Sequence, residues 1–280
     1  MVSNFELDIS KVNDKILIFD IEMSKAMYFA FPSHRPQRLG LRDKYRGQFM
    51  ISAAWQWLGS DEVHSVAVTD RKTRFKKDPT DHYHVVKTLY DVVCKADFVV
   101  GHNSDAFDLK HLQFMAYQLG LPPMPPRKSI DTLKCARQVF KNDSLSLDEI
   151  AQSRGLITKV DVPGKNEVWN RATLGCSKAI ETIRHYNIGD IMVQRDVFID
   201  MLPWMKSIPH LYNLEGKVDT GLTCKKCGEK HDIEKRGYLY NNQRTTKYQR
   251  FLCNNCGSWG HDNTVNMLSQ RYLAQQKGKN

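Results

Sequence analysis

Two cysteine pairs of the form C-x-x-C, Cys224/Cys227 and Cys253/Cys256, stand 25 residues apart near the end of this 280-residue chain. Four thiolates at such spacing make a closed tetrahedral Zn²⁺ site. A glycine follows each pair, Gly228 and Gly257, and glycine accepts the positive φ of a tight knuckle turn. A module this short seldom has enough core to fold unaided, so one structural Zn²⁺ is predicted as its staple. The gap exceeds the commonest ribbon spacing of roughly 15–20 residues and leaves room for a hairpin pairing 237–241 with 247–252. His231 and His261 read as surface histidines. The other cysteines, Cys94, Cys135 and Cys176, are scattered, and an odd total of seven argues against a disulfide framework.

Charge follows the same division. Residues 211–280 carry 12 basic and 6 acidic side chains, a net +6 out of +10 for the whole chain. Such an excess suggests a polyanionic partner. Lys235, Arg236, Arg244, Lys247 and Arg250 interleave with Tyr238, Tyr240, Tyr248 and Phe251, a pattern in which cations track phosphates and rings stack on bases. The alternative makes those aromatics a small core and the cations a solvated face. Two further basic clusters, 35–46 and 71–77, read as loops around the first strands. A proline-punctuated linker, 202–209 (LPWMKSIP), separates a large domain over 1–208 from a zinc-ribbon domain over 209–280. No apolar run reaches the roughly 18 residues a membrane helix needs. The first 14 residues are polar and acidic, unlike a secretory signal. A cytoplasmic protein is the expectation.

The large domain reads as mixed α/β. Strands are predicted at 15–22 (KILIFDIE), 50–58, 63–69 and 98–100, with the Gly59-Ser60-Asp61 turn making 50–58 and 63–69 an antiparallel pair. Helices are predicted at 84–96, 107–119, 131–140, 147–154 and 177–201. The fourth is opened by Ser146, with Glu149 completing a capping box. Strands that can pair antiparallel, followed by alternating helix and strand, give a mixed sheet flanked by helices.

In Phe19-Asp20-Ile21-Glu22, two acids at i and i+2 project from one face of a strand, at its carboxyl end. Their oxygens suit Mg²⁺ or Mn²⁺, although acids also commonly end a solvated strand. Asp108 opens a helix, where the dipole alone would favour an acid. Tyr186 and Asp190, four apart in a helix, share a face.

The ordered set Asp20/Glu22, Asp108 and Asp190 resembles the DEDD superfamily of 3′→5′ exonucleases, the DnaQ-like branch of the ribonuclease-H-like fold. Phage-encoded exonuclease-like proteins with a C-terminal zinc ribbon are the nearest likeness, which would place the chain in a host cytoplasm. The likeness also takes in 55–59, 129–134 (SIDTLK), Trp169 and 203–204. It implies two-metal phosphodiester hydrolysis with two Mg²⁺ or Mn²⁺ ions: Asp20 bridging both, Glu22 and Asp190 completing one site, Asp108 holding the other. It implies Met23 and Asn103 on the substrate side; His102 and Asn103 match the family's strand-end pattern, with fixing the turn as the alternative role for both. The residue that positions the attacking water is Tyr186 in a Tyr-x-x-x-Asp reading or His185 in a His-x-x-x-x-Asp reading. A helix continuous from about residue 178 puts Tyr186 nearer Asp190 and so favours Tyr186. Asp105 and Asp131 are spare acids. The implied partner is nucleic acid, single-stranded 3′ ends first, with a protein partner through the ribbon and no membrane. An internally cutting nuclease of the same fold and an inactive zinc-ribbon nucleic-acid-binding protein are the alternatives.

Overall fold

Alternation along Ile16–Met23 (β1) sets the centre of the large unit. Ile21 and Met23 point into the hydrophobic core, and Asp20 and Glu22 point to the opposite face, each half-buried. The computed structural model describes residues 15–31, 40–158, 162–206, 222–240 and 247–261. One compact unit spans Lys15–Phe198, and the cysteine-bearing residues belong to a second that begins at Ile199.

In the first unit β1 is followed by a short hairpin, Met27–Tyr28 (β2) with Lys44–Arg46 (β3), and then by Met50–Trp57 (β4) and Val63–Ala67 (β5). Lys72–Lys77 (α1) and Tyr83–Val93 (α2) lead to Phe98–Gly101 (β6), Asp108–Gln118 (α3) and Lys128–Asp131 (β7). Thr132–Val139 (α4), Leu147–Ser153 (α5), Lys165–Thr173 (α6) and the 25-residue Ser177–Met201 (α7) complete it. The five-stranded sheet has the order β5-β4-β1-β6-β7. β4 pairs antiparallel with β1 and β5, while β6 pairs parallel with β1 and β7. This is the mixed, helix-flanked sheet expected from the sequence.

The antiparallel half sets the register of the acids: Asp20 faces Ala54 and Glu22 faces Ser52 on β4, with a register shift between Glu22 and Met23. β1 and β6 pair only through Ile18 and Val100, so the two strands part just before Asp20. Ser146 caps α5 as expected, its Oγ accepting from Glu149 N at 3.3 Å, but the reciprocal half of the capping box is not made, since Ser146 N donates to Ser144 Oγ at 3.2 Å. Residues 71–77 correct the loop expectation, since most of them form α1. Among the described residues no helix is long and apolar enough to cross a membrane.

In the second unit Ile233–Tyr240 (β8), Lys247–Cys253 (β9) and Trp259–His261 (β10) form an antiparallel sheet in the order β10-β9-β8. The hairpin exists, but β8 starts four residues earlier than predicted. Phe251, 1% exposed, and the four cysteines make the core, with Leu222 and Ile233 packed against it.

Candidate functional site

Three carboxylates converge. One oxygen each from Asp20, Glu22 and Asp190 can be chosen such that all lie within 4.8 Å of one another. Asp20 and Glu22 come from the end of β1, and Asp190 from the middle of α7, where it is buried. Hard oxygen donors from three acids are a donor set that can hold a metal ion, and clustering them is electrostatically costly without one.

α7 is pinned over the strand ends by its own polar side chains. Asn187 Nδ2 donates to Asp20 Oδ2 at 2.6 Å, and Ser52 Oγ on β4 donates to Asn187 Oδ1 at 3.2 Å. Gln194 Nε2 donates to the carbonyl of Val100 at 3.0 Å and to that of Phe19 at 3.4 Å. Asn187 and Gln194 are both fully buried. These hydrogen bonds fix the rotation of α7 and hence the direction of Asp190. Sequence reasoning passed over both, although 187, 190 and 194 form a polar stripe at helical spacing among Ile183, Ile191 and Val197.

Asp108 lies outside the three-acid group. It is 3% exposed, and its Oδ1 accepts from Ile21 N, the amide between Asp20 and Glu22, at 3.2 Å. The parting of β1 from β6 leaves that amide for Asp108 to take. Burial pushes the Asp108 carboxyl up to about 7, against a partial pull downward by its bonds to backbone amides and a further push from the charge of Asp131. Asp131 itself caps α4: its carboxylate accepts from Lys134 N at 3.1 Å, from Asn103 N at 2.9 Å and from Asp105 N at 3.2 Å. Asp105 faces Lys134 Nζ at 3.5 Å. The turn at 102–105 is thereby held from α4. Asn103 adopts φ 66°, and the His102 ring nitrogens sit 2.9 Å from Thr132 Oγ1 and 3.1 Å from the Leu145 carbonyl. Gly101 is required here, because a Cβ at that position would lie 2.3 Å from Ser104 Cβ.

The two water-positioning candidates sit in different surroundings. α7 is continuous from Ser177. His185 is exposed, with Nδ1 2.7 Å from the carbonyl of Glu181 in its own helix. Tyr186 is 6% exposed, and its Oη accepts from Lys165 Nζ on α6 at 2.9 Å. The same ammonium lies 4.3 Å from the Tyr186 ring centroid and 5.1 Å from that of Trp169, which meets Tyr186 edge-on at 5.7 Å. Lys165 carried no sequence signal, being one lysine in a polar helix. Met23, expected on the substrate side, is buried in the core at 6% exposure.

The cysteines converge as the spacing predicts. Cys224, Cys227, Cys253 and Cys256 bring their sulfurs within 4.8 Å of one another, with Cys224–Cys256 at 3.6 Å and Cys227–Cys253 at 3.5 Å. A tetrahedron with Zn–S bonds of ~2.3 Å sets sulfurs about 3.8 Å apart, so the set fits zinc and is too wide for disulfides. Hydrogen bonds among the four thiols push their pKa values apart, that of Cys224 downward and those of Cys227 and Cys253 upward. Gly228 and Gly257 adopt φ 72° and 69°, and each donates its N–H back to the first cysteine of its knuckle.

Of the cations expected to meet nucleic acid, Arg244 lies outside the described residues. Lys235 and Arg236 are exposed on β8, with Arg236 paired to Glu234 at 2.7 Å. On β9, Lys247 Nζ sits 3.6 Å from the Tyr238 ring centroid, and Arg250 lies over the Trp259 ring at 5.1 Å. Tyr238 is 52% exposed whereas Phe251 is core, so the aromatics divide between the two roles weighed for them.

No family model matches the chain, and no curated protein does. Among solved structures it is similar to the family B DNA polymerase from the hyperthermophilic archaeon Pyrobaculum calidifontis, at 19% identity and a TM-score of 0.50. The match covers 68% of this chain and 25% of that one. The likeness is one of fold, and the chain matches about a quarter of the polymerase's length.

Proposed function

We propose that this chain is a metal-dependent 3′→5′ exonuclease that hydrolyses phosphodiester bonds from a free 3′ end, with residues 1–208 as nuclease domain and 209–280 as zinc ribbon. The observation that carries the reading is the convergence of Asp20, Glu22 and Asp190 within 4.8 Å, with Asp108 bonded to the amide between the first two. In this reading Asp20, Glu22 and Asp190 hold Mg²⁺ or Mn²⁺, and Asp108 supplies the remaining carboxylate to a second ion. Divalent cations held by these carboxylates would supply a more acidic bound water and charge neutralisation at the leaving oxygen.

The surrounding side chains have separable tasks. Asn187 fixes the plane of the Asp20 carboxylate. Tyr186 positions water: its Oη accepts from Lys165, so the phenolic hydrogen is directed away from the ammonium and can be donated elsewhere. His185, exposed and turned back on its own helix, is left outside the chemistry. Trp169 and Lys165 together hold the phenol in place.

The test is digestion of 5′-labelled strands, DNA and RNA, with Mg²⁺ or Mn²⁺ added. Successive shortening with release of mononucleotides is expected, and a circular single strand should survive. Asp20→Ala should abolish the ladder; persistence of cleavage in that variant refutes the assignment. Cutting of the circle would instead indicate internal cleavage at the same site.

A further inference from the structure

The unit that begins at Ile199 holds a feature its zinc site does not require. A groove of about 640 Å³ is lined by Trp204, Lys206, Lys225, Ser258, Trp259 and His261, among others. Trp204 is 61% exposed and Trp259 55% exposed. An indole is among the largest apolar surfaces a chain can bury, and in this unit, whose described buried side chains include Phe251, the four cysteines, Leu202 and Met205, these two stay more than half exposed. Core formation therefore does not account for their placement.

The walls are held firmly. Buried Lys226 donates from Nζ to the carbonyl of Met205, tying the 203–206 segment to the first knuckle. Ser258 Oγ lies 3.3 Å from Cys224 Sγ and 3.0 Å from Cys256 Sγ, and the Ser258 carbonyl accepts from Cys253 N at 2.9 Å. Trp259 thus projects from a fixed point, in register with Leu252 on β9. Beside it Gly260 lies flat on Phe251, where a Cβ would come within 2.4 Å of the ring.

The charge of the groove selects its occupant. Lys206, Lys225 and Lys226 line it, and no aspartate or glutamate does among the described residues. Arg250 adds a guanidinium over the Trp259 ring. Exposed π-faces beside lysines and a guanidinium match a chain of bases joined by phosphates: the rings take bases by stacking and the cations take the backbone. A protein partner would use the indoles but gives no reason for three lysines in the described lining.

We infer that this groove is a binding site for single-stranded nucleic acid, in which Trp204 and Trp259 stack on bases and Lys206 and Lys225 attract phosphates. The inference rests on the proposed nuclease function for its choice of partner, and names a surface that shares only Arg250 with the β8–β9 cations singled out in the sequence. The full chain, without added divalent cation so that hydrolysis is silent, is titrated into a fluorescein-labelled oligothymidylate and read by anisotropy. Trp259→Leu and Trp204→Leu should each weaken binding at least about fivefold, whereas Trp259→Phe, which keeps a stacking face, should stay close to the parent. Zinc content of one per chain shows that each variant retains its fold. In the unaltered chain, oligonucleotide should quench tryptophan emission, and Trp259→Phe should diminish that quenching without removing a stacking ring. Equal affinity of parent and Leu variants with zinc intact overturns the inference and leaves the groove to a protein. Equal losses for Phe and Leu also overturn it. Reduced binding in a chain that never cleaves would sink the nuclease reading and spare the groove; cleavage with unaltered binding would do the reverse.

Discussion

Replacing Asp108 by asparagine should make the protein more stable at neutral pH while removing its activity. Asp108 is 3% exposed, and burial raises its carboxyl from 3.8 to about 7. Between those values the folded chain keeps a proton that the unfolded chain has released. Stability contributed by this group is therefore complete below pH 4, falls as pH rises, and is fully lost above pH 7. The size of the loss, at 1.36 kcal/mol for each pH step, is about 4 kcal/mol. Asparagine keeps an oxygen for the Ile21 amide but never ionises, so Asp108→Asn should match the parent near pH 4 and exceed it by up to about 4 kcal/mol near pH 8. The new amide hydrogens need acceptors, which makes that figure an upper bound. Urea unfolding read by helical circular dichroism suits the test, because among the described residues nearly all the helix lies in Lys15–Phe198 and the described zinc module is all sheet and turn. Mn²⁺ should stabilise the parent more than the variant, since it binds the ionised acid. Parallel stability curves for the two proteins across pH 4.5–7.5 would refute the burial argument.

Other expectations follow from the same geometry. Asn187→Ala frees the Asp20 carboxylate to rotate and should lower metal affinity and activity by roughly 10–100-fold, with a smaller deficit at saturating Mn²⁺; equal deficits at low and high Mn²⁺ would contradict an orienting role. Tyr186→Phe should lower kcat by about 10²-fold or more, while His185→Ala should stay within a few-fold of the parent; the opposite ranking would transfer the water-positioning role to His185. Cys224→Ser should lose bound zinc and unfold the C-terminal sheet, measurable as loss of zinc by elemental analysis while the helical signal persists. Retention of one zinc per chain in that variant would rule out the four-cysteine site.

Local signals made much of the fold legible. The apolar alternation of β1 ending in Asp20 and Glu22 marks a central strand, and Ser146 with Glu149 marks the start of α5. The knuckles read directly because metal geometry fixes their spacing. What escaped was tertiary in origin. β7 is four residues long behind a proline-rich loop, and α6 opens on Gly164 at φ 66° with no side-chain cap; neither has periodicity enough to be seen alone. The position of Asp108 depends on β1 and β6 parting after Ile18 and Val100, which no local pattern encodes. Lys165 meets Tyr186 across 21 residues, and Trp204 and Trp259 line one groove though far apart in the chain. The polar stripe of Asn187, Asp190 and Gln194 was present in the sequence, but only burial distinguishes it from an ordinary solvated helix face.

The most direct measurement is anomalous diffraction from crystals soaked in Mn²⁺. Two manganese peaks about 3.5–4 Å apart, bounded by Asp20, Glu22 and Asp190 with Asp108 at the second ion, are predicted, and Asp20→Ala should remove both. No manganese at those carboxylates, under conditions where the protein shortens 3′ ends, would contradict the account.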